Sequence, residues 1–553
     1  MDVRQSSNRA PLLWLFLPII LGYLLAEISP WSLPPWAGLS LAALFLWFAG
    51  WHLWGSKPHW VRREKVWVLS AAMGVILTAM VWHQLQTSPP TAYTPETPPR
   101  HLSLTVQIER VFQSTSEERI TGMGRIVEAP SPVTYLEGEK IYFFVFLEDE
   151  QRVADFTRTT RLRGAGLWEP LPDETEGFTA YLDRQGVQSQ WRWVRQTEIV
   201  RPAWPFFREA RLARDFVRET LWEGSSHDHP WGRIFNAMLL GERLVLGEEQ
   251  RLAFLQTGTL HLFAISGLHI GIIALSLHCF LRILRLPRIP EVLIGLSILL
   301  FYVELTGSPP SAVRAFLMTA FFWGGRLFRQ GGNPTAALAN SGVVVLVLFP
   351  QQLWSAGFQL SYTVVAAILL LGIPFWQQAK RISLQHPWRR SYPQQASIFE
   401  RMVDPVLSLL AISLSATLAS SVLAIHYFGH FSPGAVFLNM ILVPLATLVM
   451  VAGLCSISLG TLGLTVGSSL FNHAAWVVVA LMEQAVRLFL AIPGFFYTAE
   501  YRWSGMVLIG WLLLIACLLI IPRRELSTHP TPLLWPFVGM GLFYFLTLRM
   551  TPI

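Results

Sequence analysis

Thr257-Gly-Thr-Leu-His-Leu-Phe-Ala-Ile-Ser-Gly-Leu-His-Ile-Gly271 opens an apolar run that continues to about Arg282. A run of that length crosses a bilayer core at about 1.5 Å per residue. Yet His261, Ser266 and His269 stand in it, with Gly258, Gly267 and Gly271 between them. Lipid-facing helices carry Leu, Ile and Val at such places, whereas hydrogen-bonding groups and close-approach glycines direct a helix toward protein or water. The stretch therefore sets two expectations, a helical membrane protein and a polar interior within it.

The composition agrees. Of 553 residues 52% are hydrophobic and only 14% charged, and the mean hydropathy is +0.43, a balance that excludes an ordinary soluble globular chain. Apolar runs lie near 11–29, 35–54, 65–86, 260–282, 289–306, 311–328, 335–349, 353–376, 403–426, 433–458, 464–490, 504–521 and 531–549, about thirteen spans, with the short 335–349 run a candidate re-entrant segment. The first run has no small-residue cleavage site and reads as a retained helix. Cys279, Cys455 and Cys517 all fall in apolar runs without metal-ligand spacing, which predicts core packing and no metal site.

Basic residues assign the sides. With Arg4 and Arg9 cytoplasmic, the loops holding Lys57, Arg62, Arg63 and Lys65, then Arg282, Arg285 and Arg288, then Arg326 and Arg329, then Lys380, Arg381, Arg389, Arg390 and Arg401, then Arg523 and Arg524 all fall in the cytoplasm. Residues 87–259 and the carboxyl terminus then lie outside.

Residues 88–203 change character. After a Pro-rich entry (Pro89, Pro90, Pro95, Pro98, Pro99) come β-patterned runs at 101–111, 120–128, 140–147, 157–167 and 187–194, which suits a five-stranded barrel of the OB type. The segment holds 13 basic and 17 acidic residues, net −4, so against a whole-chain charge of +7 the remainder carries +11, mainly in the basic loops. A local basic and aromatic patch from Arg158, Arg161, Arg163, Arg184, Arg192 and Arg195 with Trp191 and Trp193 is nevertheless open to the sequence, beside a structural or partner-docking role for the barrel. In 204–223, Phe206, Ala210, Ala213, Val217 and Leu221 recur at helical spacing against Arg208, Arg211, Asp215 and Arg218. That pattern predicts an amphipathic helix on the outer leaflet, anchored by Trp204 and Trp222.

The segment LLGERLVLGEEQRLAFLQTGTLHLFAISGLHIG from Leu239 resembles the opening of the competence domain of ComEC-type DNA-uptake channels. Pro310-Ser-Ala-Val-Arg-Ala315, NPTAALANS from Asn333, Gly357-Phe-Gln-Leu-Ser-Tyr362, and HYFGHFSP with Asn439 and Pro444 resemble the same family in the same order. The likeness is strong over about 230–450 and loose in the flanks. It implies a channel that passes single-stranded DNA across the bacterial inner membrane during natural transformation, with an OB-like extracytoplasmic domain. GFTAYLDRQGV, 177–187, resembles the family's link out of that domain, and the 204–223 helix would flank the channel entrance. The expected division is 1–87 N-terminal membrane helices, 88–203 OB-like domain, 204–230 amphipathic helix and linker, 231–500 channel domain, and 501–553 C-terminal membrane helices.

Phosphates entering a low-dielectric membrane need water, donors or positive charge along their path. Candidate path residues are His261, Ser266, His269, Arg314, Gln359, His426 and Asn439. Arg314 follows the breaker Gly307-Ser-Pro-Pro-Ser311 and has either a phosphate-attracting role or an ion pair with Glu304. A neutral His269 can donate to phosphate without permanent buried charge. Gln359 and Ser361 suggest hydrogen bonding between helices or pore lining. Asn439 with Pro444 suggests a locally broken helix, His426 and His430 an outer helix end, and Glu483 with Arg487 an internal ion pair.

Many members of the resembled family continue into a metallo-β-lactamase-like domain. The only His-X-His here, His227-Asp-His229, lacks the further ligands of a two-metal hydrolase and reads as a turn. No GxxxxGK[ST] motor signature occurs. The expectation is a noncatalytic channel without cofactor or metal. Its expected partners are single-stranded DNA, the lipid bilayer, an external DNA-receptor protein, a separate nuclease and a cytoplasmic ATP-driven helicase or translocase. A secondary transporter of another envelope solute and a membrane scaffold are the alternatives.

Overall fold

The computed structural model describes residues 13–28, 34–54, 66–87, 97–112, 119–147, 155–172, 177–226, 229–327, 332–385, 393–503, 505–520 and 531–552. Helices α1 (Leu13–Ile28), α2 (Pro35–Trp54) and α3 (Val66–Thr87) come first. They dock through Tyr23, whose hydroxyl donates to the Leu346 carbonyl at 2.9 Å, and Trp82, whose indole N–H donates to the Val347 carbonyl at 2.9 Å.

Next come β1 (Arg100–Val111), β2 (Arg119–Glu128), β3 (Lys140–Phe146), β4 (Arg161–Pro170), α4 (Gly177–Arg184) and β5 (Val187–Arg201). The strands close a barrel in the order β1-β2-β3-β5-β4, with β3 and β5 parallel, the partly Greek-key arrangement of an OB-like barrel. All five expected strands are present. Alternation fills the interior with Leu104, Val106, Ile108, Ile141, Phe143, Val145, Leu162, Trp168 and Trp191. The segment read as a link out of the domain is part of it. It forms α4 and the start of β5, with Leu182 and Val187 packed against Met123.

The remaining helices are α5 (Pro205–Trp222), α6 (Pro230–Leu240), α7 (Glu248–Gln256), α8 (Gly267–Ile283), α9 (Arg288–Leu305), α10 (Pro310–Leu327), α11 (Pro334–Leu348), α12 (Ala356–Ala367), α13 (Ile373–Gln385), α14 (Pro393–Phe428), α15 (Ala435–Thr461), α16 (Thr465–Leu490), α17 (Met506–Ile520) and α18 (Thr531–Thr547). A π-turn, Ile368–Gly372, joins α12 to α13 in one continuous rod. Five helical stretches among the described residues are long and apolar enough to cross a membrane: Val68–Gln86, Ala356–Arg381, Val403–Phe428, Ala435–Thr461 and Thr465–Leu490. Other apolar runs form shorter helices, such as Gly267–Ile283 and Pro334–Leu348. The expected span count of thirteen is therefore matched by helices but not by thirteen full-length spans. Some of the basic residues on which the sidedness rests, those in 1–12, 55–65, 328–331, 386–392 and 521–530, lie outside the described residues.

The largest of three buried clusters among the helices is built from Phe235 and Met238 of α6, Leu299 of α9, Leu438 and Val449 of α15, and Val479 and Met482 of α16. Gly453 allows α15 to approach α6, because a Cβ there would collide with Leu239. Two sequence expectations are corrected. Helix α15 is unbroken, with Pro444 inside it, since packing on both sides outweighs one lost backbone hydrogen bond. The cysteines do not pack in the core: Cys279 is exposed and Cys455 and Cys517 are half-buried, all as free thiols.

Strands β6 (His430–Phe431), β7 (Tyr497–Tyr501) and β8 (Leu548–Pro552) form a small antiparallel sheet. The sheet gathers the ends of α14, α16 and α18 on one side of the bundle. The barrel meets the bundle through Arg158, 3.8 Å from Glu304 and over the Phe207 ring. The Trp204 backbone N–H donates to the Thr159 hydroxyl at 3.1 Å.

Candidate functional site

Helix α8 begins at the opening stretch of the sequence, and its first turn is a capping box. The Leu268 N–H donates to Ser266 Oγ at 3.2 Å, and His269 Nδ1 lies 3.0 Å from Ser266 Oγ and 3.4 Å from the Ser266 backbone N–H. Accepting from that N–H makes Nδ1 the unprotonated nitrogen of a neutral ring and leaves the proton on Nε2. His269 is 1% exposed, and Nε2 closes no hydrogen bond of normal geometry, although the ring senses the Leu262 carbonyl. A buried donor is thus held in place from behind.

His261 sits in the 3-10 turn Leu260–Phe263 and is exposed, its Nδ1 3.0 Å from the Gly258 carbonyl. Arg243 is likewise exposed. Exposed Arg243 and His261 and buried His269 are three donors of the segment that leads into and opens α8. Arg243 was not singled out from sequence; its place in the LLGER segment, immediately before the helical turns that lead to His261, was the available signal.

Helix α10 joins the same region. Ser311 Oγ donates to the Ile265 carbonyl, the residue before the α8 cap, at 2.6 Å. One turn on, Arg314 is 3% exposed and donates from Nη2 to the Gly357 carbonyl at 2.8 Å, while its Nε closes no hydrogen bond. The ion pair with Glu304 does not form. Glu304 accepts from Ser308 Oγ at 2.6 Å and faces Arg158 of the barrel, and Arg314 has no carboxylate partner among the described residues. The Gly307-Ser-Pro-Pro turn ends α9 and directs the two side chains apart.

Other candidates serve the framework. Gln359 spends both ends of its amide, donating to the Leu353 carbonyl at 3.0 Å and accepting from the Tyr427 hydroxyl at 3.0 Å. It bridges α12 to α14. His426 is exposed beside Tyr427, ring centroids 4.7 Å apart. Asn439 is half-buried on the intact α15, with its Oδ1 unpartnered. Glu483 and Arg487 pair at 2.9 Å as expected, and Glu249 joins them at 3.3 Å. His229 stacks on Trp476 with centroids 4.9 Å apart, while His227 and Asp228 lie outside the described residues.

These polar groups lie within a recognisable unit. The family model described as Competence protein matches residues 238–524. The chain belongs to the competence protein family. The matched domain begins at α6 and so contains Arg243, His261, His269 and Arg314. Over 297 residues the chain is 27% identical to ComE operon protein 3 of Bacillus subtilis (strain 168), covering 53% of this chain and 35% of that protein. It is 29% identical over 236 residues to the uncharacterized protein YcaI of Escherichia coli (strain K12), 40% of this chain and 28% of the relative. An uncharacterized protein of Aquifex aeolicus (strain VF5) is 34% identical over 167 residues, 30% of this chain and 38% of the relative. The chain thus aligns with about a third of each of these curated relatives. No solved structure matches it.

The helix that leads into the competence domain buries part of its charged side. Arg214 of α5 is 5% exposed and Glu242, in the loop after α6, is 7% exposed. Arg214 donates to Glu242 Oε1 from Nη2 at 2.9 Å and from Nε at 3.2 Å, and Arg218 also donates to Glu242. Burial by itself would raise the Glu242 carboxyl; the hydrogen bonds from Arg218 and the nearby Arg214 and Arg218 charges outweigh it and hold the group below its ordinary value. Part of the charged side of α5 is therefore turned into the protein, while Phe206, Leu212 and Phe216 are exposed. The amphipathic pattern is real, but its polar side is not simply the solvent side.

Proposed function

We propose that this chain is a channel that conducts single-stranded DNA across the bacterial inner membrane during natural transformation. The observation that carries the reading is the set of donors in the competence domain, with Arg243 and His261 exposed, His269 buried in the first turn of α8, and Arg314 buried with no carboxylate partner among the described residues. A polyanion's path requires such groups, held by backbone contacts so that they need not reorganise as phosphates arrive. Ser266 positions His269 by the capping box, His426 and Asn439 are lesser path candidates, and Gln359 braces α12 against α14.

In this reading the thirteen apolar helices span the membrane, the amino terminus is cytoplasmic, and the barrel and carboxyl terminus are extracytoplasmic. An external receptor protein delivers the DNA, a separate nuclease leaves one strand, and a cytoplasmic ATP-driven helicase or translocase pulls it inward. Deleting the gene is expected to abolish transformation while leaving DNA binding at the cell surface intact. Undiminished transformation in the deletion strain overturns the proposal.

A further inference from the structure

The barrel carries an aromatic platform on its outer wall that strand alternation does not predict. In the β3–β5 pairing, Phe143 faces Trp191 and Val145 faces Val194, so Phe144 alone lies opposite both Arg192 and Trp193. One extra residue in β5 makes this a bulge. Trp193 takes up the irregularity at φ 57, a left-handed conformation that is costly for a bulky residue. As a result Trp191 is fully buried in the barrel while Trp193, two positions on, is 53% exposed outside it.

The displaced indole joins two rings of β3. Trp193 stacks on Phe146 with centroids 5.7 Å apart and planes at 14°, and Phe144 lies 5.1 Å from Phe146 and 6.1 Å from Trp193. Three guanidiniums cover the rim, Arg119 over Phe144 at 5.7 Å, Arg192 over Trp193 at 5.9 Å and Arg195 over Phe146 at 5.9 Å. Arg192 is paired with Glu169 at 3.2 Å, whereas Arg119 and Arg195 close no salt bridge among the described residues. From Trp193, β5 continues through Arg201 to Trp204 and α5, the helix that packs on the competence domain.

We infer that Phe144, Phe146 and Trp193 form a stacking site for the bases of single-stranded DNA, with Arg119 and Arg195 contacting its phosphates, and that the strained backbone of Trp193 is retained to build it. The inference rests on the channel reading for the nature of the substrate. Aromatic faces accept every base and require it unpaired, so the site selects single strands over duplex without regard to sequence. Two uncommitted arginines in a domain of net charge −4 leave stacking as the main source of affinity. The logarithm of the binding constant should then fall with the logarithm of salt at a slope of only about −1.4, two phosphates at about −0.7 each.

The test uses the full chain in lipid nanodiscs and fluorescein-labelled oligothymidylate, followed by anisotropy. W193A and F146A are each expected to weaken binding about tenfold, with W193F retaining most of it. W193G, which relieves the positive φ, is expected to bind as weakly as W193A while unfolding at a higher temperature than W193A. Wild-type affinity in both W193A and F146A, equal affinity for duplex, or a W193G protein less stable than W193A overturns the inference. Failure of the platform is separable from failure of the channel. Unchanged oligothymidylate affinity in W193A together with lost uptake in R314A rejects the platform alone, and weakened affinity in W193A with normal uptake in both H269A and R314A rejects the channel alone.

Discussion

Arg214 and Glu242 are joined by two hydrogen bonds, 2.9 and 3.2 Å, in a site where neither residue is more than 7% exposed. The pair fastens the helix that follows the barrel to the loop that opens the competence domain. Removing one partner of a buried pair leaves the other charge without compensation, at a cost of about 3 to 5 kcal/mol. Glu242→Ala is therefore expected to destabilise the purified protein by that order and to separate α5 from the bundle, whereas Glu242→Gln, which keeps an acceptor, should lose less. Chemical unfolding in detergent, with limited proteolysis between residues 201 and 230, measures both effects.

The same pair sets an acid limit. Glu242 is held below its ordinary value of 4.5, so the folded state binds the proton less readily than the unfolded chain. Its stabilising contribution is fully present above about pH 4.5 and disappears as the pH falls through the lower folded value. The wild-type unfolding temperature should lack any Glu242 contribution to its pH dependence between pH 8 and pH 5 and decline below that range. E242Q should lack this part of the decline, so identical acid profiles for the two proteins would remove Glu242 from the account.

Gln359 offers the opposite test, a polar residue of the competence domain whose hydrogen bonds are already spent on Leu353 and Tyr427. Gln359→Leu should cost about 1 to 3 kcal/mol, because it leaves partners unsatisfied, without changing the DNA permeation of the protein that remains folded. A large loss of permeation at unchanged stability would place Gln359 on the path.

The barrel strands were legible in the sequence because period-two alternation and glycine-marked turns report directly on a small β-core. The polar character of the α8 opening was legible too, since histidine and serine in an apolar run demand partners. Trp193 was not legible in full. Alternation puts it on the same face as Trp191, and only the bulge at φ 57 sends it outside. Arg214 escaped notice because helical periodicity marks a charged residue as solvent-facing and carries no information about a carboxylate 28 positions away. Arg314 was legible as a buried cation, but its choice between Glu304 and the Gly357 carbonyl depends on how the turn at Gly307 aims α10.

The most direct measurement is entry of labelled single-stranded oligonucleotide into vesicles that contain the purified protein and enclose a single-strand-binding protein to trap what arrives. Wild-type vesicles should accumulate the strand, and vesicles with H269A or R314A at equal protein content should accumulate at least tenfold less, the equivalent of about 1.4 kcal/mol. Accumulation no greater than in protein-free vesicles, or undiminished by both substitutions, contradicts a path for DNA through the donors of the competence domain.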